Sequence, residues 1–253
     1  MMSASRPRPP SAHLAALASI SAVVSQSLSL DETLQAALAE ALTIIGAEAG
    51  SITLVDEAAS ELVLHAHQGW SSKFVQLAPL RIPFGVGMSG EVIRSGGPVV
   101  NNHMTGQEPM AVAAFHDEHF QSIAMAPMHA RGRITGILGI MSHEASAFDQ
   151  ASVDLLCGIA DTIGIALENA RLYGESVAAQ RRLNAVLKAT ADGILATDRA
   201  DRIRVVNPAA ERLLGIPASQ LINQTLSSAP LPSRLRFLVL SATQSGGTQR
   251  TRS

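Results

Sequence analysis

Apolar residues recur at helical spacing near the start of the chain, where Leu14, Leu17, Ile20, Val24 and Leu28 predict a first helix. A second follows in "SLSLDETLQAALAEALTIIG". There Leu34, Leu38, Leu42 and Ile45 share a face, Ser29 and Glu32 have capping-box spacing, and Gly46 supplies a C′ stop. The period then drops to two in "SITLVDEAASELVLHAH", a pair of β-rich runs around a polar turn that predicts a hairpin. Within it, His65 and His67 fall on one face of a strand and extend a cross-strand polar face. After Trp70 the pattern is irregular as far as "GVGMSGEVIRSGG", where Ser89 is placed to cap a short helix ending at Gly96. No period is legible from Asn101 to His119, and long loops of that kind often carry binding residues.

Order returns in "QSIAMAPM" and "RITGILGIMS", two strands joined by a turn at Ala130–Gly132. Asp149 then caps a helix, with Phe148 placed to staple against Val153. From Asp149 to about Thr190 there is no proline. Leu156, Ile159, Ile163, Ala166, Ala170, Tyr173 and Val177 keep a 3,4 spacing, interrupted at Gln180 and Asn184 before Leu187. A helix of that length outruns one small domain and suggests a dimer seam; two helices broken near Gly174 are the alternative. The order of elements predicts an α+β sandwich, an antiparallel sheet with helices on one face. Beyond it, "ADGILATDRADRIRVVNPAAERLLG" reads as two short strands turning at "DRADR". A helix follows, with Asn207 as N-cap, Pro208 at N1 and Gly215 as terminator. "PSRLRFLVL" predicts one more helix.

Composition narrows the function classes. A formal charge of −2, a pI near 6.4 and 3% aromatic residues leave no basic or base-stacking surface for nucleic acid. One cysteine, Cys157, excludes an internal disulfide and any CxxC metal or redox pair. No eighteen apolar residues run together, so no membrane span is expected, and residues 1–12 read as a disordered lead-in to a soluble, cytoplasmic protein.

Gly85, Gly87 and Gly90 spell G-x-G-x-x-G, but the helix behind them lasts barely two turns and Asn101-Asn102 stand where a ribose-binding acid belongs. A tight turn into a helix is the reading. His116, Asp117, Glu118 and His119 cluster in "FHDEHF"; two histidines three apart can share a helix face, without the HExxH layout of a zinc site. Six of the eight methionines fall between Met88 and Met141, as core filling or as the walls of a pliable apolar pocket. No nucleophile motif, Walker loop or kinase ATP-site motif is present, and no acid–base carboxylate pair can be defended.

Residues 13–173 resemble a GAF domain. The resemblance is carried by "GAEAGSITLVDEAASELVLHAHQG", by "IPFGVGMSGEVIRSGGPVVNN", and above all by "FQSIAMAPMHARGRITGILGIMSHEASAFDQASVDLLCGIADTIGIALENARLY". "RRLNAVLKATADGILATDRADRIRVVNPAAERLLGIPASQLINQTL" resembles the start of a PAS domain, with too few residues after it for the remaining strands. The expected organisation is therefore a GAF domain over 13–173, a helical connector over 174–190 continuous with its last helix, and a partial PAS unit over 191–253.

The resemblance implies a sensory and dimerising input module ahead of a histidine kinase. It would be a homodimer through the long helix, with an unknown small molecule in a GAF pocket lined by Trp70, Phe84, Met110, Phe115, His116, His119 and Met125. Some GAF domains hold haem through a histidine of the loop before "SIAMAPM", which makes His116 or His119 the haem candidate and a gas or redox sensor one alternative. A stand-alone enzyme on the GAF scaffold is the other, although GAF-type methionine-sulfoxide reductases need cooperating cysteines. Bilin attachment and the cyclic-nucleotide signature find no matching residues.

Overall fold

A computed structural model of the chain describes Ala18 and residues 30–77, 81–105 and 117–232. The helices expected over 14–28 and in "PSRLRFLVL" lie outside these residues, Ala18 and Pro232 apart. Two compact units divide the chain, 1–172 and 173–253.

In the first unit α1 spans Leu30–Ile45, and Gly46 follows it at a φ of 83°, the left-handed geometry a C′ glycine accepts without strain. The hairpin forms from β1 (Ala49–Asp56) and β2 (Glu61–Gln68). Next come α2 (Ser72–Leu77), β3 (Arg81–Pro83), α3 (Gly87–Ser95) and β4 (Val99–Asn101), then the strand pair β5 (Ser122–Ala130) and β6 (Arg133–Ser142). Arg131 and Gly132 both have positive φ, as a two-residue hairpin turn requires. The six strands form one antiparallel sheet in the order β3-β2-β1-β6-β5-β4. The two edge strands are three residues each, too short for their periodicity to show in the sequence.

Strand alternation gives the sheet two different faces. Ile52, Ala66, Ala124, Ala126, Met128, Leu138 and Ile140 pack against α1 and against α4 (Gln150–Ala189), whose Leu155, Leu156, Ile159, Ala160 and Ile163 are buried there. The far face carries Ile123, Ile137 and Met141 and is partly covered by α2 and α3 through Phe74 and Val92. Asp149 caps α4, its carboxylate accepting from Ser152 N at 2.8 Å, and Phe148 and Val153 are buried in the same core.

α4 is one continuous helix of 40 residues through Gly174. Among the described helices it alone is long and apolar enough to cross a membrane by length and composition, contrary to the expectation of no candidate span. Its sheet-facing residues explain part of that apolar character.

Two local expectations are corrected. Ser89 is not a cap: α3 begins at Gly87, and the Ser89 hydroxyl, inside the helix, donates to Val86 O at 3.3 Å. The glycines set this early start. Gly85 and Gly87 have positive φ, and a Cβ on Gly90 would lie 2.4 Å from the Gly85 backbone. His65 and His67 do not share a face either. Ile52 pairs with Ala66 but Thr53 with Leu64, so His65 is the extra residue of a β-bulge and the alternation slips there. His65 Nδ1 lies 2.8 Å from Asp31 of α1, whereas the His67 ring turns to the far face.

The second unit contains β7 (Leu195–Thr197) paired with β8 (Ile203–Val206), then α5 (Pro208–Leu214) and α6 (Ala218–Leu221). Ile203, Leu221, Leu226, Ala229 and Leu231 form its core. Asn207 caps α5 by accepting from Ala210 N at 2.9 Å, and Gly215 follows the helix at a φ of 68°.

Candidate functional site

The far face of the sheet gathers the chemistry. Register brings one residue from each of five strands into a file: His67 of β2 beside Ser51 of β1, then Gly139 of β6, Met125 of β5 and Val99 of β4. Gly139 puts no side chain into the middle of this floor. A Cβ there would meet Ser51 Oγ at 3.5 Å and Met125 Cγ at 3.6 Å, ordinary contacts, so packing does not demand glycine. Thr53 lies two residues along β1 on the same face, and both hydroxyl residues are buried.

Trp70 stands over one end of the file. Gly69, at a φ of 77°, turns the chain where a Cβ would lie 2.3 Å from Glu48 O. That turn stacks Trp70 on His67, with ring centroids 5.1 Å apart and planes 7° from parallel. Phe74 meets the indole edge-on at 4.9 Å. Met88, Met104, Met125, Phe120, Ile123 and Met141 complete the cluster. The indole Nε1–H is buried there and is the one buried side-chain polar atom, among the described residues, that lacks a hydrogen-bond partner.

The segment 117–121, leading into β5, is tied down on two sides. Glu118 accepts from Ser71 N at 2.8 Å and from the Ser71 hydroxyl, and Asp117 accepts from Lys73 Nζ at 2.8 Å. His143 places Nε2 3.1 Å from Glu118 O and Nδ1 3.0 Å from Glu48, while its ring tilts against Phe120. The His143 backbone N–H, 2.6 Å from Glu48, is the main reason that this carboxyl titrates below the usual carboxylate range.

Of the expected pocket residues, Trp70 and Met125 meet in this cluster, and Phe84 joins an adjoining one with Leu62, Val92 and Ile137 that shares Met125. His119 is exposed with a φ of 57°. Met110, Phe115 and His116 lie outside the described residues. Among the described residues no three His, Cys, Asp or Glu side chains gather as a metal site. Cys157 packs on the α1/α4 side of the sheet, away from Trp70, and burial, with Asp161 and Asp154 adding to it, pushes its thiol pKa up. His67 was expected only on a polar strand face, and Ser51, Gly139, Phe74 and Phe120 were not singled out from the sequence. Strand alternation could have flagged Ser51 and Gly139, had the register been known.

A GAF domain model matches residues 27–168, more than half of the chain. The chain belongs to the GAF domain family. A PAS fold model matches a short stretch behind the GAF domain, residues 181–250. Among solved structures, the GAF domain is similar to the free methionine-R-sulfoxide reductase of Neisseria meningitidis, with 26% identity and a TM-score of 0.54 over 68% of this chain and 99% of that one. It is also similar to the GAF domain of a phosphoenolpyruvate-protein phosphotransferase from Coxiella burnetii, with 24% identity and a TM-score of 0.57 over 65% and 98% of the two chains. Comparison with curated proteins gives no match. GAF and PAS domains together support a role in sensing and signal transduction.

Proposed function

We propose that this chain is the input region of a cytoplasmic sensor histidine kinase, a homodimer through α4 whose GAF domain takes a small ligand on the far face of its sheet. The observation that carries the reading is the aromatic and methionine cluster around Trp70, which Met104 and Phe120 join from either end of the connection between β4 and β5. Ligand binding there would favour one of two packings of α4 and so pass a population shift to the PAS unit, provided the ligand prefers one packing over the other.

The dimer seam runs along a different file from the one the 3,4 spacing suggested. Leu156, Ile159 and Ile163 are used up in the domain's own core. Ile165, Leu172, Ala179 and Val186 instead repeat at intervals of seven along α4, apart from the residues buried in that core. Ile165 is 53% and Val186 58% exposed, and a seven-residue apolar file of this kind supports a supercoiled pair.

Light scattering at tens of micromolar should find a dimer, converted to monomer by Ile165→Glu with Val186→Glu. A wild-type monomer overturns the seam. A coding sequence without a phosphoacceptor-histidine helix and an ATP-binding domain in the same polypeptide overturns the kinase assignment.

A further inference from the structure

The ligand's chemical class is written in what the far face offers and what it withholds. Trp70 Nε1–H is a donor with no acceptor capacity, buried and without a partner among the described residues. A buried donor left unpaired costs on the order of one to three kcal/mol, so a ligand that accepts from it recovers that penalty on binding. Ser51 and Thr53 add hydroxyls that can donate or accept, on a floor to which Gly139 contributes no side chain. The walls are aromatic rings and thioethers.

Among the described residues of this cluster there is no lysine or arginine, and the nearby cations are engaged. Lys73 is engaged by Asp117, and Arg81 by Asp56 and Glu61. The described segments that flank β4 and β5, residues 102–105 and 117–121, contain no lysine or arginine. A phosphate or carboxylate brought onto this face would lose its hydration with no cation to replace it.

We infer that the far face takes an uncharged small molecule with an apolar body and a carbonyl-type oxygen, which accepts from Trp70 Nε1–H. This rests on the ligand-sensing reading above and gives it a chemistry. The body lies over Gly139 between Met125 and Phe120, and the oxygen points to the indole. The buried hydroxyls of Ser51 and Thr53 serve a second polar atom of the same molecule.

Trp70 is the only tryptophan of the chain, so the protein has one indole N–H resonance and its assignment is automatic. Nicotinamide and nicotinate share ring, size and carbonyl and differ in charge, which makes them the probe pair. In nitrogen–proton correlation spectra of the full chain, nicotinamide should move the indole proton downfield, saturably, and bind about tenfold more tightly than nicotinate, whose carboxylate would lose its hydration with no cation to replace it.

Nicotinate binding as tightly overturns the charge argument. An indole proton that neither probe moves overturns the inference. Carbon-13 methyl signals of Met88, Met104 and Met125 separate the two levels: if they move while the indole stays still, the ligand-sensing face survives and the donor assignment falls. If neither moves, the face itself fails for this class. Trp70→Phe keeps an aromatic ring on His67 and should weaken nicotinamide binding about tenfold as read by those methyls, the loss of one hydrogen bond; an unchanged affinity again overturns the assignment. The methionine methyl dispersion of that variant shows whether the domain is folded.

Discussion

The side-chain amide of Asn207 donates to Leu187 O at 3.1 Å, which ties the last turns of α4 to the first residue before α5. The same amide group donates to Asp192 O at 2.9 Å, and its oxygen accepts from Ile194 N at 2.7 Å and from Ala210 N. One buried side chain thus holds the end of the long helix, the entry to β7 and the start of α5. In a relay, these are the three parts that must move together.

Asn207→Ala should destabilise the second unit by about 2–4 kcal/mol, because it removes an N-cap and leaves backbone groups unpaired. Asn207→Asp keeps the accepting oxygen but turns a second, charged oxygen onto the carbonyls of Leu187 and Asp192, so at neutral pH it should cost at least as much. Hydrogen exchange at the Ile194 and Ala210 amides measures both: the alanine variant exposes both amides, and the aspartate variant keeps Ala210 protected.

Two glycines of α4 should respond in opposite directions to alanine. Helix propensity favours alanine by about 1 kcal/mol at either. At Gly164 a Cβ would lie 2.8 Å from His129 O, and that neighbour is backbone of the sheet. The overlap wins there, and Gly164→Ala should cost about 1–3 kcal/mol. Gly174 has nothing within 4 Å of an added Cβ, so Gly174→Ala should stabilise by up to about 1 kcal/mol. Thermal unfolding of the two variants settles the pair.

Acid should weaken the fold in the carboxylate range. Glu48 is held below its ordinary pKa mainly by the His143 backbone N–H, Asp56 by Arg81, Asp149 by the Ser152 backbone N–H, and Asp198 by the Arg202 backbone N–H. A carboxyl depressed in the folded state stabilises above its unfolded pKa, and that contribution is lost as pH falls through the folded one. Denaturant midpoints should therefore drop as pH falls below about 4, the region of free carboxylates. Glu48→Gln should lower the midpoint at neutral pH and flatten the acid fall.

The thiol of Cys157 should be a slow nucleophile. Burial raises its pKa, with Asp161 and Asp154 adding to the effect, so the thiolate fraction at neutral pH is below that of a free cysteine. Reaction with a disulfide reagent at pH 7.5 should run at least about tenfold slower in the folded protein than in denaturant. A folded-state rate matching the denatured one contradicts this placement.

Local chemistry was legible in the chain because its causes lie within a few residues. Asn207-Pro208, Gly215, Gly46, Asp149 and the Arg131-Gly132 turn each fulfil a backbone requirement that adjacent residues impose. The 3,4 spacing from Leu156, which suggested a dimer seam, instead puts Leu156, Ile159 and Ile163 in the domain's own core. The family resemblance extended this to the order of elements, and the GAF match over 27–168 agrees with it.

The site itself depended on pairings between distant strands. His67, Ser51, Gly139 and Met125 come together because β6 pairs with both β1 and β5, and no period along the chain encodes that register. A single extra residue at His65 was enough to send two neighbouring histidines to opposite faces, since side-chain direction alternates with every residue and any slip inverts it. The core claimed Leu156, Ile159 and Ile163, which left Ile165, Leu172, Ala179 and Val186 as an apolar file outside it. Spacing says that two residues share a face. Only packing says what that face meets.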